Sequence, residues 1–118
     1  MSIDYCLQRA RELPYIRGQQ RHFAAVFCKR GRLISESANS YLKTSPRAFK
    51  AASKLGLDDK CYIHAEMRAL WLDKKQKGVK LVVVRIGAKG DPMYSEPCPV
   101  CKEVLKDFSN IKFVEYTT

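Results

Sequence analysis

Apolar and polar residues recur along the chain with two periods. Ile3, Cys6, Leu7, Ala10 and Leu13 repeat at helical spacing, which predicts a first helix capped by Ser2 and ended by Pro14. Phe23-Ala24-Ala25-Val26-Phe27-Cys28 is an apolar run of strand length, Lys29-Arg30-Gly31 reads as a turn, and Arg32 to Ser37 reads as the returning strand of a hairpin. A helix is expected from Ala65 to Lys75, stopped by Gly78. Leu81-Val82-Val83-Val84-Arg85-Ile86 is β-branched and almost continuously apolar, the pattern of a strand covered on both faces. Gly87 to Pro97 reads as loop, Val100, Val104, Leu105 and Phe108 space a further helix, and Ile111 to Tyr116 close as a strand. Residues 40–60 form a basic insertion, in which Ser45-Pro46 and Gly56 bracket a short helix from Arg47 to Leu55.

This order is a helix, two strands, then two strand–helix–strand crossovers. Such crossovers are right-handed and helices must cover both faces of the sheet, so the expected fold is a three-layer α/β/α sandwich on a small mixed sheet. One domain spanning residues 1–118 is expected. If the strands near Leu33, Val83 and Val114 are parallel, both crossover helices begin at the carboxyl ends of those strands, the edge where α/β proteins bind ligands. The segments around His64 and Cys98 are then expected to meet, although they lie 34 residues apart.

Composition narrows the setting. No apolar run approaches the roughly 18 residues that cross a bilayer, and the N-terminal stretch is not of secretory type, so we expect a soluble, cytoplasmic protein with no membrane partner. The net charge is +10, of which +7 falls in residues 1–60. A basic surface of this strength suits nucleic acid or a phosphorylated small molecule; it is also what a solvated Lys/Arg face looks like, and Lys43, Arg47, Lys50 and Lys54 fit either reading. The five cysteines are odd in number in a chain with no secretory signal, which argues against a disulfide framework and leaves thiols for metal. Cys6 and Cys28 lie on apolar patterns and are expected in the core; Trp71 and Tyr116 are expected to pack, and His22 to be structural.

Two segments carry chemistry: Ile63-His64-Ala65-Glu66 and Glu96-Pro97-Cys98-Pro99-Val100-Cys101. Cys98 and Cys101, three apart at a helix start, share a face and can both reach one ion, and the helix dipole favours their thiolates. With His64 as a third ligand the fourth tetrahedral position stays open, as in a catalytic zinc site. Glu66, two positions on, falls beside the ion rather than on it and can move protons. A closed alternative adds Cys61: Cys61-x-x-His64 with Cys98-x-x-Cys101 is zinc-knuckle spacing and would abolish catalysis, but it leaves Glu66 and Pro97 without a role.

His64-Ala65-Glu66 followed by Pro97-Cys98-x-x-Cys101 resembles the signature of the cytidine deaminase-like zinc deaminases, and the resemblance covers most of the chain. His64-Ala65-Glu66-Met67 and the ending Ile111 to Tyr116 are most similar to short deoxycytidylate deaminase-like proteins, including small viral ones. The resemblance implies one catalytic Zn2+ held by His64, Cys98 and Cys101, with Glu66 as the proton-transfer residue. It also implies substrate contacts from Asn39 and from the backbone around Ala65 and Pro97, and a homo-oligomer that completes the pocket. The insertion at 40–60 is longer than in compact base deaminases, and the chain stops at Thr118, short of the C-terminal elements of longer relatives. The implied reaction is hydrolytic deamination of cytosine to uracil in a nucleotide of the CMP or dCMP type. Two other readings share these residues: deamination of cytosine or adenine in single-stranded nucleic acid, for which no run of aromatics stands ready, and a zinc-bearing binding module without catalysis.

Overall fold

The computed structural model describes residues 2–14, 21–39, 65–95 and 99–117. Its elements are α1 (Ser2–Arg11), β1 (Arg21–Phe27), β2 (Leu33–Ala38), α2 (Ala65–Leu72), β3 (Lys80–Ile86), β4 (Pro92–Met93), α3 (Pro99–Leu105) and β5 (Phe113–Tyr116). The helix expected over Arg47–Leu55, and the insertion that carries it, lie outside the described residues.

β1 is central and pairs antiparallel with β2 on one side and with β3 on the other. Beyond β3, the parallel strand β5 runs along its first half and the antiparallel pair β4 along its end, in the registers Lys80↔Phe113 and Arg85↔Met93. The sheet is therefore mixed, and β2, β3 and β5 point the same way, as expected.

The period of two along β1 and β3 sorts their side chains between two cores. Phe23, Ala25, Phe27, Val82, Val84 and Ile86 face α1, where Cys6 and Ala10 are wholly buried against them. Ala24, Val26, Leu81 and Val83 face α2 and α3 and pack on Ala65, Met67, Leu70, Cys101 and Val104. Helices on both faces explain why Leu81–Ile86 reads as one apolar run, and they make the three layers.

Three expectations shift. The hairpin turn extends to Arg32, whose carbonyl accepts the Cys28 N–H at 2.9 Å, with Gly31 at φ 83°. α2 stops at Leu72, short of Lys75, because the buried Asp73 carboxylate takes the Lys77 and Gly78 N–H groups at 3.1 and 2.8 Å and folds the chain back. The loop from Gly87 holds the two-residue strand β4, closed by a turn in which Gly87 N–H donates to Asp91 O at 3.0 Å.

Candidate metal and catalytic site

Because β2, β3 and β5 are parallel, α2 and α3 both start at the rim formed by the carboxyl ends of these strands. Glu66 sits in the first turn of α2 and is 5% exposed, between Ala65 and Met67, which are wholly buried. A carboxylate is costly to bury, but at a helix start the free N–H groups and the dipole favour its charge. Cys101 sits in the first turn of α3, 1% exposed, in the same buried cluster as Ala65 and Met67. α2 and α3 pack against each other. Pro99 opens α3, where a missing N–H costs nothing.

The first turns that carry Glu66 and Cys101 thus share one buried layer, as the crossover argument requires. His64 directly precedes Ala65, and Cys98 directly precedes Pro99; both, together with Pro97 and Cys61, lie outside the described residues. A buried thiol at a helix start, one turn from a second cysteine in the sequence, is a donor suited to zinc.

Asn39 follows β2 at the same rim. Its Oδ1 accepts the His22 N–H at 3.1 Å and its own N–H donates to His22 O at 3.3 Å, so it closes the β1–β2 ladder. His22 is a strand residue opposite Arg85, in keeping with a structural role. Trp71 packs half-buried on the α2–α3 core, as does Tyr116, whose ring meets Tyr94 edge-on at 5.9 Å. Cys6 is a core residue, its thiol pushed up to about 12 by burial. Cys28, expected in the core, is instead half-buried in the turn after β1. Hydrogen bonds from the Arg32 and Arg30 backbones, helped by the Arg32 side chain, lower its pKa.

Two residues that hold this rim together carry no sequence signal. Ser95 Oγ donates to Val83 O at 2.8 Å, accepts the Thr117 N–H at 2.8 Å and lies 2.7 Å from Thr117 Oγ1. Ser95 N–H donates to Thr117 O at 2.8 Å, and Thr117 Oγ1 donates to Met93 O. Both residues are buried, and they fasten the chain to β3 and β5 just before Glu96-Pro97-Cys98. Further back from the rim, on the other helix, Ser35 Oγ donates to Ala69 O at 2.6 Å and satisfies a carbonyl in the last turn of α2.

The layering, with Glu66 and Cys101 buried in the first turns of α2 and α3, makes a three-layer α/β fold with a candidate metal rim. A family model described as the cytidine and deoxycytidylate deaminase zinc-binding region matches residues 3–118, and the chain belongs to that family. Its cofactor is accordingly Zn2+. No curated protein matches the chain. Among solved structures, a glutamate-to-glutamine mutant of the cytidine deaminase from Mycobacterium tuberculosis is similar in fold. Its TM-score is 0.52 at 17% identity, over 93% of this chain and 78% of that one. No helix among the described residues is long and apolar enough to cross a membrane.

Proposed function

We propose that the protein hydrolytically deaminates the cytosine of a free nucleotide of the CMP or dCMP type, giving uracil and ammonia. The observation that carries this reading is the buried carboxylate of Glu66 in the first turn of α2, in one layer with the buried Cys101 thiol in the first turn of α3. His64, Cys98 and Cys101 are the zinc ligands in this reading. When bound, zinc supplies hydroxide near neutral pH by lowering the pKa of water toward about 7.

Glu66 accepts the proton that the attacking water gives up and delivers it to N3 of the ring as C4 is attacked. It then carries the second water proton to the exocyclic amine, which leaves as ammonia while the C4 carbonyl forms. The backbone around Ala65 and Pro97 positions the ring. Asn39, at the same rim, contacts the sugar or pyrimidine while its Oδ1 stays on the β1–β2 ladder. We assign the enzyme to the cytoplasm as a homo-oligomer of this single domain.

The test is Glu66→Gln, with zinc content and uracil release measured on cytidine, dCMP, dCTP and a cytosine-containing oligonucleotide. Zinc is expected at the unmutated level, with turnover of dCMP or CMP lost by at least about a hundredfold. Turnover that survives in Glu66→Gln overturns the role of Glu66. Turnover of the oligonucleotide alone by the unmutated protein overturns the nucleotide assignment.

A further inference from the structure

Among the described residues, a group of lysines and arginines lies at the rim opposite the one where α2 and α3 begin. There β1 ends, β3 and β5 start, and the chain leaves α2. A cavity of about 600 Å3 opens at this rim, lined by Phe27, Cys28, Lys29, Lys80, Lys112 and Phe113 among others. Val79 ties the elements together, its N–H donating to Phe27 O at 2.9 Å and its carbonyl accepting the Lys112 N–H at 2.7 Å. The pairings Phe27↔Lys80 and Lys80↔Phe113 put these three side chains on one face of the sheet. Phe113 is 62% exposed there.

Lys29, Arg30 and Arg32 come from the hairpin turn, Lys74, Lys75 and Lys77 from the α2–β3 connection, and Lys80 and Lys112 from the strand starts. Of the acids at this rim, Asp73 holds two backbone N–H groups, Glu115 pairs with Lys80 and Glu103 pairs with Lys106, which leaves the exposed Asp107 against the cations. Lys29, Arg30, Lys74, Lys75, Lys77 and Lys112 form no ion pair with other described residues, and all are exposed. The described arginines away from this rim are largely committed. Arg9 pairs with Glu12 and Glu36, Arg11 binds Gly90 O, and Arg21 binds the carbonyls of Leu13, Gly87 and Ala88.

We propose that this rim binds a single strand of nucleic acid, with phosphates on Lys29, Lys112 and the 74–77 lysines and a base against the Phe113 ring. The cations outnumber what one phosphate or carboxylate uses, and they come from three elements, so the ligand repeats its charge. A second copy of the chain would bring the same positive rim against this one. An open aromatic ring among lysines is what base stacking needs and what an acidic polypeptide does not. The site goes beyond the proposed reaction and does not depend on it, since the reacting rim is at the other end of the strands.

The experiment is fluorescence anisotropy of a labelled thymidine oligonucleotide of about 20 nucleotides, titrated with the full chain from about 50 to 200 mM salt. Log affinity should fall linearly with log salt. Lys29→Ala/Lys112→Ala should weaken binding about tenfold or more and flatten the salt slope by about 1.4, at roughly 0.7 per lost contact. Phe113→Ala should weaken the oligonucleotide several-fold and leave inorganic polyphosphate unchanged. Melting temperatures and dCMP turnover of these variants report whether fold and reacting site are intact. Three results overturn the proposal: no binding at about 50 mM salt, a double variant no weaker than an Arg68→Ala/Lys89→Ala control, or displacement by polyglutamate as readily as by unlabelled oligonucleotide. The last would give the rim to an acidic polypeptide.

Discussion

Removing the Ser95 hydroxyl should loosen the rim where α2 and α3 begin. Ser95→Ala deletes an oxygen that is 2.8 Å from Val83 O, 2.8 Å from the Thr117 N and 2.7 Å from Thr117 Oγ1. Ser95 and Thr117 are 6% and 5% exposed, so water does not readily replace it. Each buried group left without its partner costs about 1–3 kcal/mol, and the methyl still fits, so the loss should total about 2–4 kcal/mol. For a chain of this length about 1 kcal/mol moves the midpoint by roughly 3–5 °C, giving a drop of about 6–20 °C. The assay is a thermal melt by circular dichroism with excess zinc and again with chelator, with the exposed Ser109→Ala as the control. The difference between the two melts should shrink in Ser95→Ala, because the chain three residues before Cys98 is no longer held to β5. A midpoint within about 2 °C of the unmutated protein would refute the reasoning.

Gly78→Ala should lose about 3 kcal/mol or more in urea unfolding, because a Cβ would fall 2.0 Å from Val26 Cγ1 and 2.9 Å from Asp73 Oδ2. Iodoacetamide near pH 8 should label Cys28 well before Cys6, read by peptide mass spectrometry, since backbone N–H groups and Arg32 lower the one thiol and burial raises the other. Cys6 also links stability to alkaline pH. Its folded pKa of about 12 lies above its ordinary 9.0, so the protonated thiol stabilises the fold below pH 9, and this contribution is lost as pH rises toward 12. Urea midpoints measured from pH 8 to 11 should therefore fall more steeply for the unmutated protein than for Cys6→Ala.

The parts of the fold legible in the chain are those whose burial is two-sided or strictly periodic. β1 and β3 announce themselves because each apolar position has a helix above or below it, and α1 because Cys6 and Ala10 repeat toward one core. The parallel direction of β2, β3 and β5 followed from chain order alone, and with it the meeting of the first turns that hold Glu66 and Cys101. What escaped is held by partners distant in sequence or by single side chains. β4 exists only because Pro92 and Met93 lie opposite Ile86 and Arg85. The end of α2 depends on one carboxylate folding back on Gly78. Ser95 and Thr117 are 22 residues apart, and neither shows in any period. Cys28 sits on an apolar pattern, yet the hairpin turn begins one residue earlier than that pattern ends.

The bulge between Val26 and Phe27 has a consequence for chemistry at the far end of α2. An irregularity of this kind locks the phase of two paired strands, because slipping by one residue would turn every side chain of β2 over. Ser35 would then leave Ala69, and the tail of α2 would lose its anchor on the sheet. The placement of the Glu66 carboxylate is thus geared, through one hydroxyl and less than one turn of helix, to an extra residue in a neighbouring hairpin.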